Sequence, residues 1–381
     1  MTKGISFVQK NWFIFLMAIM VMSFGCSSKK FYLFTGTYTG TGSKGIYVYK
    51  FDTETGMATR VSNTDSVANP SYLTISGDYV YAVNETNGSN PGSVSAFLFN
   101  KENGKLHFIN KQLTGGDDPC YVAASNDGKW IAVANYSGGS VSVFPVNEDG
   151  SLQPYSQLMQ HAGSSINRNR QQKPHVHETV FSADNDYLFA PDLGLDKVMI
   201  YKFDPTAKKP LTPSSPPFVA TTPGGGPRHF TFSPDKRFAY LIQELSGMIA
   251  TYKYNDGKLS EVQKIATYPE GFKGSIDGAE IMVSPDGKFL YTSQRGEQNS
   301  IAIFSIDAIS GKLRLEGHEP TLGKTPRNFI IDPTGNYLLV ANQDSDNIVI
   351  FKRDTKTGLL KETGNEIKTP KPVSLQMIPI D

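Results

Sequence analysis

The chain has 381 residues, of which 39% are hydrophobic and 19% charged, and it contains 35 glycines and 23 prolines. This composition is too apolar and too evenly charged for a disordered chain, and it favours a globular protein with many tight turns. The 37 Lys and Arg residues nearly balance the 36 Asp and Glu residues, which argues against nucleic acid as the main partner.

Residues 1–25 have the pattern of an export signal. Lys3 and Lys10 precede an uncharged run over residues 12–24, which is short for a membrane span and is followed by Gly25-Cys26. The end of this segment resembles a bacterial lipoprotein signal, which implies cleavage before Cys26 and a lipid on that cysteine. We therefore expect a protein anchored on the periplasmic side of a bacterial membrane, with the outer membrane favoured. A plain secretory signal or an uncleaved anchor is the alternative.

The cysteine content limits how the folded part is stabilised. Cys26 and Cys120 are the two cysteines of the chain. With a lipid on Cys26, Cys120 has no partner, so a disulfide framework and metal sites built on cysteine are both excluded. The protein must then rest on a packed core, which a chain of this length can supply. We expect residues 26–30 to form a short linker and residues 31–381 to form a single domain.

A repeated unit follows the linker. Each copy reads as an apolar strand, a tight turn with Asp or Gly, a second β-rich strand, a polar turn and a third strand such as Val-Ser-Val-Phe. A turn such as Gly257-Lys258-Leu259 then leads to a fourth strand. The copies begin at Pro70, Pro119, Pro174, Pro227, Gly278, Pro326 and Pro372. Seven units of four short antiparallel strands predict an all-β fold, a seven-bladed β-propeller.

The two ends of the chain predict how the ring closes. The last copy, from Pro372 to Ile380, is long enough for an inner strand alone. Residues 31–62 contain the three strands that this copy lacks. We therefore expect one blade to combine both chain ends, which leaves no open sheet edge and ties down both termini.

Ionisable residues collect at one predicted mouth of the ring. In an antiparallel blade, the start of the first strand and the end of the second strand lie at the same mouth. The first-strand starts include His175, His177, Arg228, His229, Glu280 and Arg327. The second-strand ends are Asn84-Glu85, Asn135-Tyr136, Asp192, Gln243-Glu244, Gln294-Arg295 and Asn342-Gln343. The segment over residues 163–173, which contains Arg168 and Arg170, enters the same mouth.

Clustered charges are costly to bury unless they are paired or hydrated, so this polar set predicts a pocket open to water or ligand. Because the set is rich in arginine and histidine, we expect the ligand to be anionic and rich in oxygen. The alternative is that the clustered charges form ion pairs between blades that hold the ring together. His175 and His177 alternate along a strand, but a third ligand with metal-site spacing is missing, so no metal is predicted.

Several motifs at this mouth resemble the seven-bladed 6-phosphogluconolactonase family, which also includes fungal carboxymuconate-lactonizing enzymes. The resemblance covers nearly all of residues 31–381. The motifs are Pro174-His175-Val176-His177, Gly226-Pro227-Arg228-His229, Gln243-Glu244-Leu245, Ala279-Glu280-Ile281 and Gln294-Arg295-Gly296. Further matching segments contain Arg170, Asp192 and Gln343. The resemblance implies hydrolysis of a sugar-acid lactone without a metal or an organic cofactor.

The resemblance also implies roles for individual residues. It places the acid/base near Glu244 and His175, with Arg228 and Arg295 beside the substrate. Our hypothesis is that Glu244 or His175 activates water while the two arginines stabilise the developing oxyanion or hold an anionic group. The residues expected to bind the substrate or to orient these four are His177, His229, Glu280, Arg327, Asp192, Gln343 and Arg170.

Other functions stay open at this point. The expected substrate is 6-phosphogluconolactone or a related aldonolactone. Because 6-phosphogluconolactone belongs to a cytoplasmic pathway, an exported protein either acts on an unphosphorylated aldonolactone or another lactone, or lacks the activity of the family. A lipid-anchored propeller that binds a sugar acid or a protein without catalysis is one alternative, and a muconate-type lactonizing enzyme (a cycloisomerase) is another. We expect a monomer whose contact with the membrane is limited to the lipid on Cys26.

Overall fold

The computed structural model describes residues 1–2, 29–40, 42–64 and 67–380. The expected export signal and Cys26 lie outside these residues. Within the described ranges, no helical segment has the length and apolarity needed to cross a membrane. The same ranges contain 28 β-strands, numbered β1 to β28 along the chain, and one three-residue 3-10 helix, Gln343–Ser345.

The strands form seven four-stranded antiparallel sheets, here called blades 1 to 7. Blade 1 contains β1 (Lys30–Thr37), β2 (Ile46–Asp52), β3 (Met57–Thr64) and β28 (Pro372–Pro379). Blade 2 contains β4 (Leu73–Ser76), β5 (Tyr79–Asn84), β6 (Ser93–Asn100) and β7 (Lys105–Leu113). Blade 3 contains β8 (Pro119–Ala124), β9 (Trp130–Asn135), β10 (Ser140–Pro145) and β11 (Gln157–Gln160). Blade 4 contains β12 (Val180–Phe181), β13 (Tyr187–Asp192), β14 (Lys197–Phe203) and β15 (Leu211–Ala220).

The remaining three blades follow in chain order. Blade 5 contains β16 (Pro227–Phe232), β17 (Phe238–Gln243), β18 (Met248–Asn255) and β19 (Lys258–Ala266). Blade 6 contains β20 (Gly278–Val283), β21 (Phe289–Gln294), β22 (Ser300–Ile306) and β23 (Leu313–Pro320). Blade 7 contains β24 (Pro326–Ile331), β25 (Tyr337–Asn342), β26 (Asn347–Arg353) and β27 (Leu360–Lys368). The predicted seven-bladed propeller is therefore confirmed.

Ring closure in blade 1 also follows the prediction. The C-terminal strand β28 pairs antiparallel with β1, with Phe31 opposite Pro379 and Thr37 opposite Pro372. The chain enters this blade at Lys30, and β1 ends at Thr37 beside the start of β28. Both chain ends therefore stabilise the same sheet.

The cores lie between adjacent blades, because a strand in a blade buries both of its faces. In β17, Phe238, Tyr240 and Ile242 pack toward blade 6, whereas Ala239 and Leu241 pack toward blade 4. Side chains that alternate along a strand thus feed two different cores. This explains why the second strand of each repeat reads as an unbroken apolar run rather than as an alternating pattern.

Blade 4 departs from the prediction, which has its first strand beginning at Pro174. Regular pairing is limited to Val180–Phe181, with a single further bridge between Val176 and Asp192. Pro191 in the neighbouring strand has no N–H to donate. The Asp192 carboxylate accepts the backbone N–H of His175 at 2.8 Å and that of Gly194 at 3.0 Å, so side-chain bonds replace part of the ladder.

Candidate active site

A polar cavity of about 220 Å³ lies at the mouth where the inner strands begin, and it is here called the mouth cavity. It is lined by Tyr38, Glu85, Cys120, Tyr136, Arg170, His177, Glu244, Arg295 and Arg327. Two larger clefts, of about 640 and 840 Å³, lie among the turns of the opposite face and are lined mostly by turn residues and their flanking strands. The mouth cavity is the better candidate site because it concentrates buried ionisable groups.

The ends of the second strands position much of this lining. Tyr38, Glu85, Tyr136, Glu244 and Arg295 each follow immediately after the last residue of β1, β5, β9, β17 or β21. The preceding residue is in every case buried in the blade. The next side chain therefore emerges at the mouth, and the ring brings these five positions from different blades to one centre.

The starts of the inner strands position the rest. In blades 3, 5, 6 and 7 the pairing register shifts within the first residues of β8, β16, β20 and β24, as in a β-bulge. A bulge changes the direction of consecutive side chains. As a result, Arg228 and His229 both face the centre, and so do Arg327 and Asn328.

Glu244 is the centre of the charged groups. Its Oε1 accepts a hydrogen bond from Arg170 Nη2 at 2.5 Å, and its Oε2 accepts bonds from Arg228 Nε at 3.0 Å and Arg295 Nη2 at 2.8 Å. The carboxylate is only 4% exposed. Three guanidinium groups from a loop and two blades therefore share one buried carboxylate.

This arrangement fixes the charge states of the group. Burial alone would raise the pKa of Glu244, but Arg295, Arg228 and Arg170 outweigh burial and lower that pKa to about 2. Burial, together with Arg295 and Arg327, lowers the pKa of Arg228 to about 10. At neutral pH the cluster is therefore a carboxylate among cationic guanidinium groups.

His175 and His177 occupy different positions although both contact the ring of Tyr136. His177 lines the cavity, and its Nε2 lies 3.7 Å from Glu244 Oε2. His175 stacks on Tyr136 at 4.5 Å, is half-buried outside the lining, and has Nδ1 3.1 Å from the Tyr136 carbonyl oxygen. Burial lowers the pKa of both histidines, so both are neutral at pH 7.

A second polar group lies among the lining residues. Tyr38 Oη donates to the Glu85 carboxylate, at 3.0 Å from each oxygen. The Arg327 guanidinium lies over the Tyr38 ring, 5.6 Å from its centroid. These side chains come from blades 1, 2 and 7.

His229 and Glu280 lie deeper on the ring axis than the mouth cavity. His229 Nδ1 is 2.8 Å from Glu280 Oε1, and Asn328 Nδ2 donates to Glu280 Oε2 at 2.5 Å. Asn328 Oδ1 in turn accepts the Leu375 N–H at 2.9 Å. Burial lowers the pKa of His229 to about 4 although Glu280 opposes the shift. This chain of hydrogen bonds links blades 5, 6, 7 and 1, but with a neutral His229 it contains no ion pair.

Four of the seven residues expected to bind or orient the substrate lie outside the cavity lining: His229 and Glu280, described above, and Asp192 and Gln343. Asp192 is fully buried, with Oδ2 2.6 Å from His161 Nδ1, and it organises the backbone around His175. Gln343 lies in the 3-10 helix and donates to Asp344 at 3.3 Å. Arg170, His177 and Arg327 do line the cavity, and Arg228 reaches it through Glu244. Their roles remain predictions.

Sequence reasoning assigned no role to several residues of the site. Glu85 and Tyr136 stand at second-strand ends that the sequence identified. Tyr38 follows the second strand of blade 1 in the same way, so a search of the second-strand end in the closing blade would have found Tyr38. Asp277 directly precedes β20 and accepts a bond from Arg295 Nη2 at 2.5 Å. Glu178, which follows His177, is buried and accepts the Phe230 N–H; no sequence signal marked it.

Across the described ranges, no three His, Cys, Asp or Glu side chains are grouped so that they could hold a metal ion. Most hydrogen-bond donors around the cavity belong to guanidinium groups, which bind oxyanions rather than cations.

Fold and site together define a seven-bladed β-propeller with an arginine-rich, small-molecule-sized cavity at one mouth. The family described as lactonase, 7-bladed beta-propeller, matches residues 32–377. The chain belongs to this lactonase family.

Relatives named as lactonases match almost the whole propeller. A 6-phosphogluconolactonase of Formosa agariphila is 41% identical over 352 residues, which are 91% of this chain and 99% of the relative. A 6-phosphogluconolactonase of Bacillus subtilis is 36% identical over 92% of this chain and 99% of its own length. The solved structure of the periplasmic gluconolactonase of Pseudomonas aeruginosa is 38% identical, with a TM-score of 0.88 over 92% of this chain and 100% of that one.

Proposed function

We propose that this protein is a lactonase that hydrolyses a sugar-acid lactone in the mouth cavity. Relatives named 6-phosphogluconolactonase and gluconolactonase support the reaction class. The observation that carries the assignment of the site is the Glu244 carboxylate, which lines a cavity of about 220 Å³ and accepts hydrogen bonds from three guanidinium groups.

The reaction adds water across the ring ester. The water oxygen bonds to the carbonyl carbon, the bond from that carbon to the ring oxygen breaks, and a proton moves from the water to the leaving ring oxygen. Negative charge develops on the carbonyl oxygen and then on the leaving oxygen. In this proposal Arg228 and Arg295, which both bond to Glu244, stabilise that charge.

Glu244 is the proposed proton acceptor. With a pKa of about 2 it is ionised but weakly basic while three arginines bind it. A substrate oxygen that takes over one of these guanidinium bonds would raise the basicity of Glu244 at the moment of reaction. His175 is the second candidate, since an Nδ1–H donated to the Tyr136 carbonyl leaves its Nε2 available as a base.

The test compares turnover of gluconolactone and of 6-phosphogluconolactone by purified wild type and variants, corrected for spontaneous opening. We expect Glu244→Gln and Arg295→Gln to lower kcat at least about a hundredfold. Arg170→Ala should also impair turnover, whereas Arg168→Ala, on the same loop but exposed and without a bond to Glu244, should match wild type.

Two outcomes would contradict the proposal. Full activity of folded Glu244→Gln and Arg295→Gln would remove the reaction from this cavity. Sugar-acid binding without turnover of either lactone by wild type would instead support the non-catalytic alternative. Circular dichroism and thermal unfolding of each variant separate loss of chemistry from loss of fold.

We also propose that the protein is exported and carries a lipid on Cys26. The basic and apolar pattern of residues 1–25 supports this, as does the periplasmic location named for the Pseudomonas relative. Because β1 begins at Lys30 on the face opposite the mouth cavity, an anchor at Cys26 would direct the cavity away from the membrane. Wild type should sediment with membranes and Cys26→Ser should not; wild type in the soluble fraction would contradict the proposal.

A further inference from the structure

Arg327 differs from the other arginines of the site in having no acceptor. Arg170, Arg228 and Arg295 all bond to Glu244. In the part of the chain that the structure describes, the Arg327 side chain has no hydrogen bond and no carboxylate oxygen within 4.0 Å. It lies partly buried in the wall of the mouth cavity.

An unpaired guanidinium is unusual for this protein. Arg353, which is buried between blades, donates to Tyr291 Oη at 2.7 Å, to the Gly335 carbonyl oxygen at 2.9 Å and to Asp286. Arg295 bonds to both Glu244 and Asp277. Because burying a cation without a partner costs free energy, the fold accommodates other buried arginines with acceptors. Arg327 lacks the acceptor that these arginines have.

The neighbours of Arg327 stabilise its positive charge but form no hydrogen bonds with its N–H groups. The guanidinium carbon lies over the Tyr38 ring at 5.6 Å, and this cation–π contact leaves the five N–H groups without a hydrogen-bond acceptor among the described residues. The nearby Glu85 carboxylate accepts the Tyr38 hydroxyl with both oxygens. Burial opposes ionisation, but Tyr38 and Glu85 outweigh it and raise the pKa of Arg327 above its ordinary value. Arg327 is therefore a cation with donors available to a ligand.

We propose that Arg327 is the oxyanion receptor of the mouth cavity and binds a carboxylate or phosphate of the ligand through paired N–H bonds. This inference rests on the proposed function, because it names the ligand chemistry of the same site. The oxyanion has two sources. Ring opening creates a carboxylate that the lactone does not have, and a phosphorylated sugar carries a phosphate before and after the reaction.

The two sources have different consequences for the enzyme. If Arg327 binds the new carboxylate, the open acid binds more tightly than the neutral lactone, and the product inhibits the reaction. If Arg327 binds a phosphate, the phosphorylated lactone has the lower KM, and the product carboxylate adds little. In both cases Arg327 determines which sugar derivatives the cavity holds.

The experiment measures binding without turnover. Titration calorimetry on the folded full propeller would compare gluconate, which has a carboxylate alone, with glucose 6-phosphate, which has a phosphate alone, and with neutral glucose. The variants are Arg327→Gln and Arg327→Lys, which keeps the charge but loses the paired geometry. The control is Arg314→Gln, whose arginine is exposed on outer strand β23 and pairs with Glu316.

We expect wild type and Arg314→Gln to bind at least one of the two anions about tenfold or more tightly than glucose, and Arg327→Gln to lose that preference. Arg327→Lys should retain part of it. Loss for gluconate alone identifies the carboxylate as the ligand group, and loss for glucose 6-phosphate alone identifies the phosphate. Equal anion affinity in wild type and folded Arg327→Gln, or no preference over glucose in wild type, would overturn the inference.

A parallel assay of gluconolactone turnover separates this inference from the proposed function. Turnover by wild type with no effect of Arg327→Gln on anion binding refutes the receptor and leaves the lactonase assignment intact. Anion binding that depends on Arg327, without any turnover of lactone, would be the opposite result. It supports the receptor and rejects the lactonase.

Discussion

Two buried carboxyl groups of blades 4 and 5 show how local surroundings decide ionisation. Glu244 lies among three guanidinium groups and has its pKa lowered to about 2. Glu178 is equally buried, but burial, reinforced by the neighbouring Glu280 carboxylate, raises its pKa well above the ordinary value. The first carboxyl is therefore a permanent anion that organises the site. The second is a buried carboxyl group whose raised pKa favours its neutral form.

This difference predicts how Glu178→Gln changes stability with pH. The pKa of Glu178 is higher in the folded than in the unfolded state, so the folded state retains a proton that the unfolded chain loses. Stability is therefore lost as pH rises from the unfolded value toward the folded one. Gln cannot ionise and still accepts the Phe230 N–H. We expect the Tm of Glu178→Gln to exceed that of wild type at pH 8, with the difference shrinking toward pH 4.

Thermal unfolding at pH 4, 6 and 8 measures this effect, since 1 kcal/mol moves the Tm of a large domain by about 2 °C. Glu102→Gln, at an exposed carboxylate of the turn before β7, is the control and should follow wild type at each pH. A Tm decrease in Glu178→Gln that is larger at pH 8 than at pH 4, or a Tm difference from wild type that does not change with pH, would show that the pKa of Glu178 is not raised in the folded state.

At the scale of the strand, the sequence predicts at which mouth of the ring the site lies, but it does not predict how deep each side chain lies along the ring axis. The repeat shows where each first strand begins and each second strand ends, and that frame is sufficient to bring Glu244, Arg295 and Arg327 to one mouth. Whether a residue lines the cavity depends on the bulges at the inner-strand starts. Those bulges place Arg228 beside Glu244 and His229 below it on Glu280. A bulge is a local backbone feature that periodicity does not encode.

Irregular elements were the least predictable part of the site. The loop that carries Arg170 connects β11 with β12, and its bond to Glu244 joins residues 74 apart in sequence. Gln171, fully buried, fixes this loop through a bond from Nε2 to the Leu193 carbonyl oxygen at 2.8 Å. Beside this loop, the Asp192 carboxylate accepts the His175 N–H and so replaces part of the ladder of blade 4. These are long-range side-chain contacts, so spacing alone could not distinguish Asp192, a structural residue, from a ligand-binding one.

At the scale of the whole molecule, the cavity exists because the ring is closed. Its wall takes Tyr38 from blade 1, Glu85 from blade 2, Tyr136 from blade 3, Glu244 from blade 5, Arg295 from blade 6 and Arg327 from blade 7, and His177 precedes β12 of blade 4. Adjacent blades share one hydrophobic core at each boundary, so a displaced blade disturbs both neighbours. The Tyr38–Glu85 pair and Arg327 lie around the boundaries of the closing blade, where the two chain ends meet.

Removal of residues 372–381 tests this dependence. The truncation deletes β28, leaves the inner edge of β1 unpaired and removes the buried Val373 and Leu375 side chains together with the Leu375 bond to Asn328. Two buried aliphatic side chains and a strand of hydrogen bonds are worth on the order of 5 kcal/mol or more. We therefore expect the Tm to fall by about 10 °C or more, with loss of both lactone turnover and anion binding.

Complementation identifies the cause of that loss. A synthetic peptide with the sequence of residues 372–381 should restore part of the Tm and of the ligand binding if the missing strand is responsible, because the edge of β1 remains available for antiparallel pairing. A peptide of the same composition in scrambled order is the control and should restore neither. A truncated chain that keeps the wild-type Tm and activity would show that blade 1 holds as three strands, and that the cavity depends on the six complete blades rather than on closure.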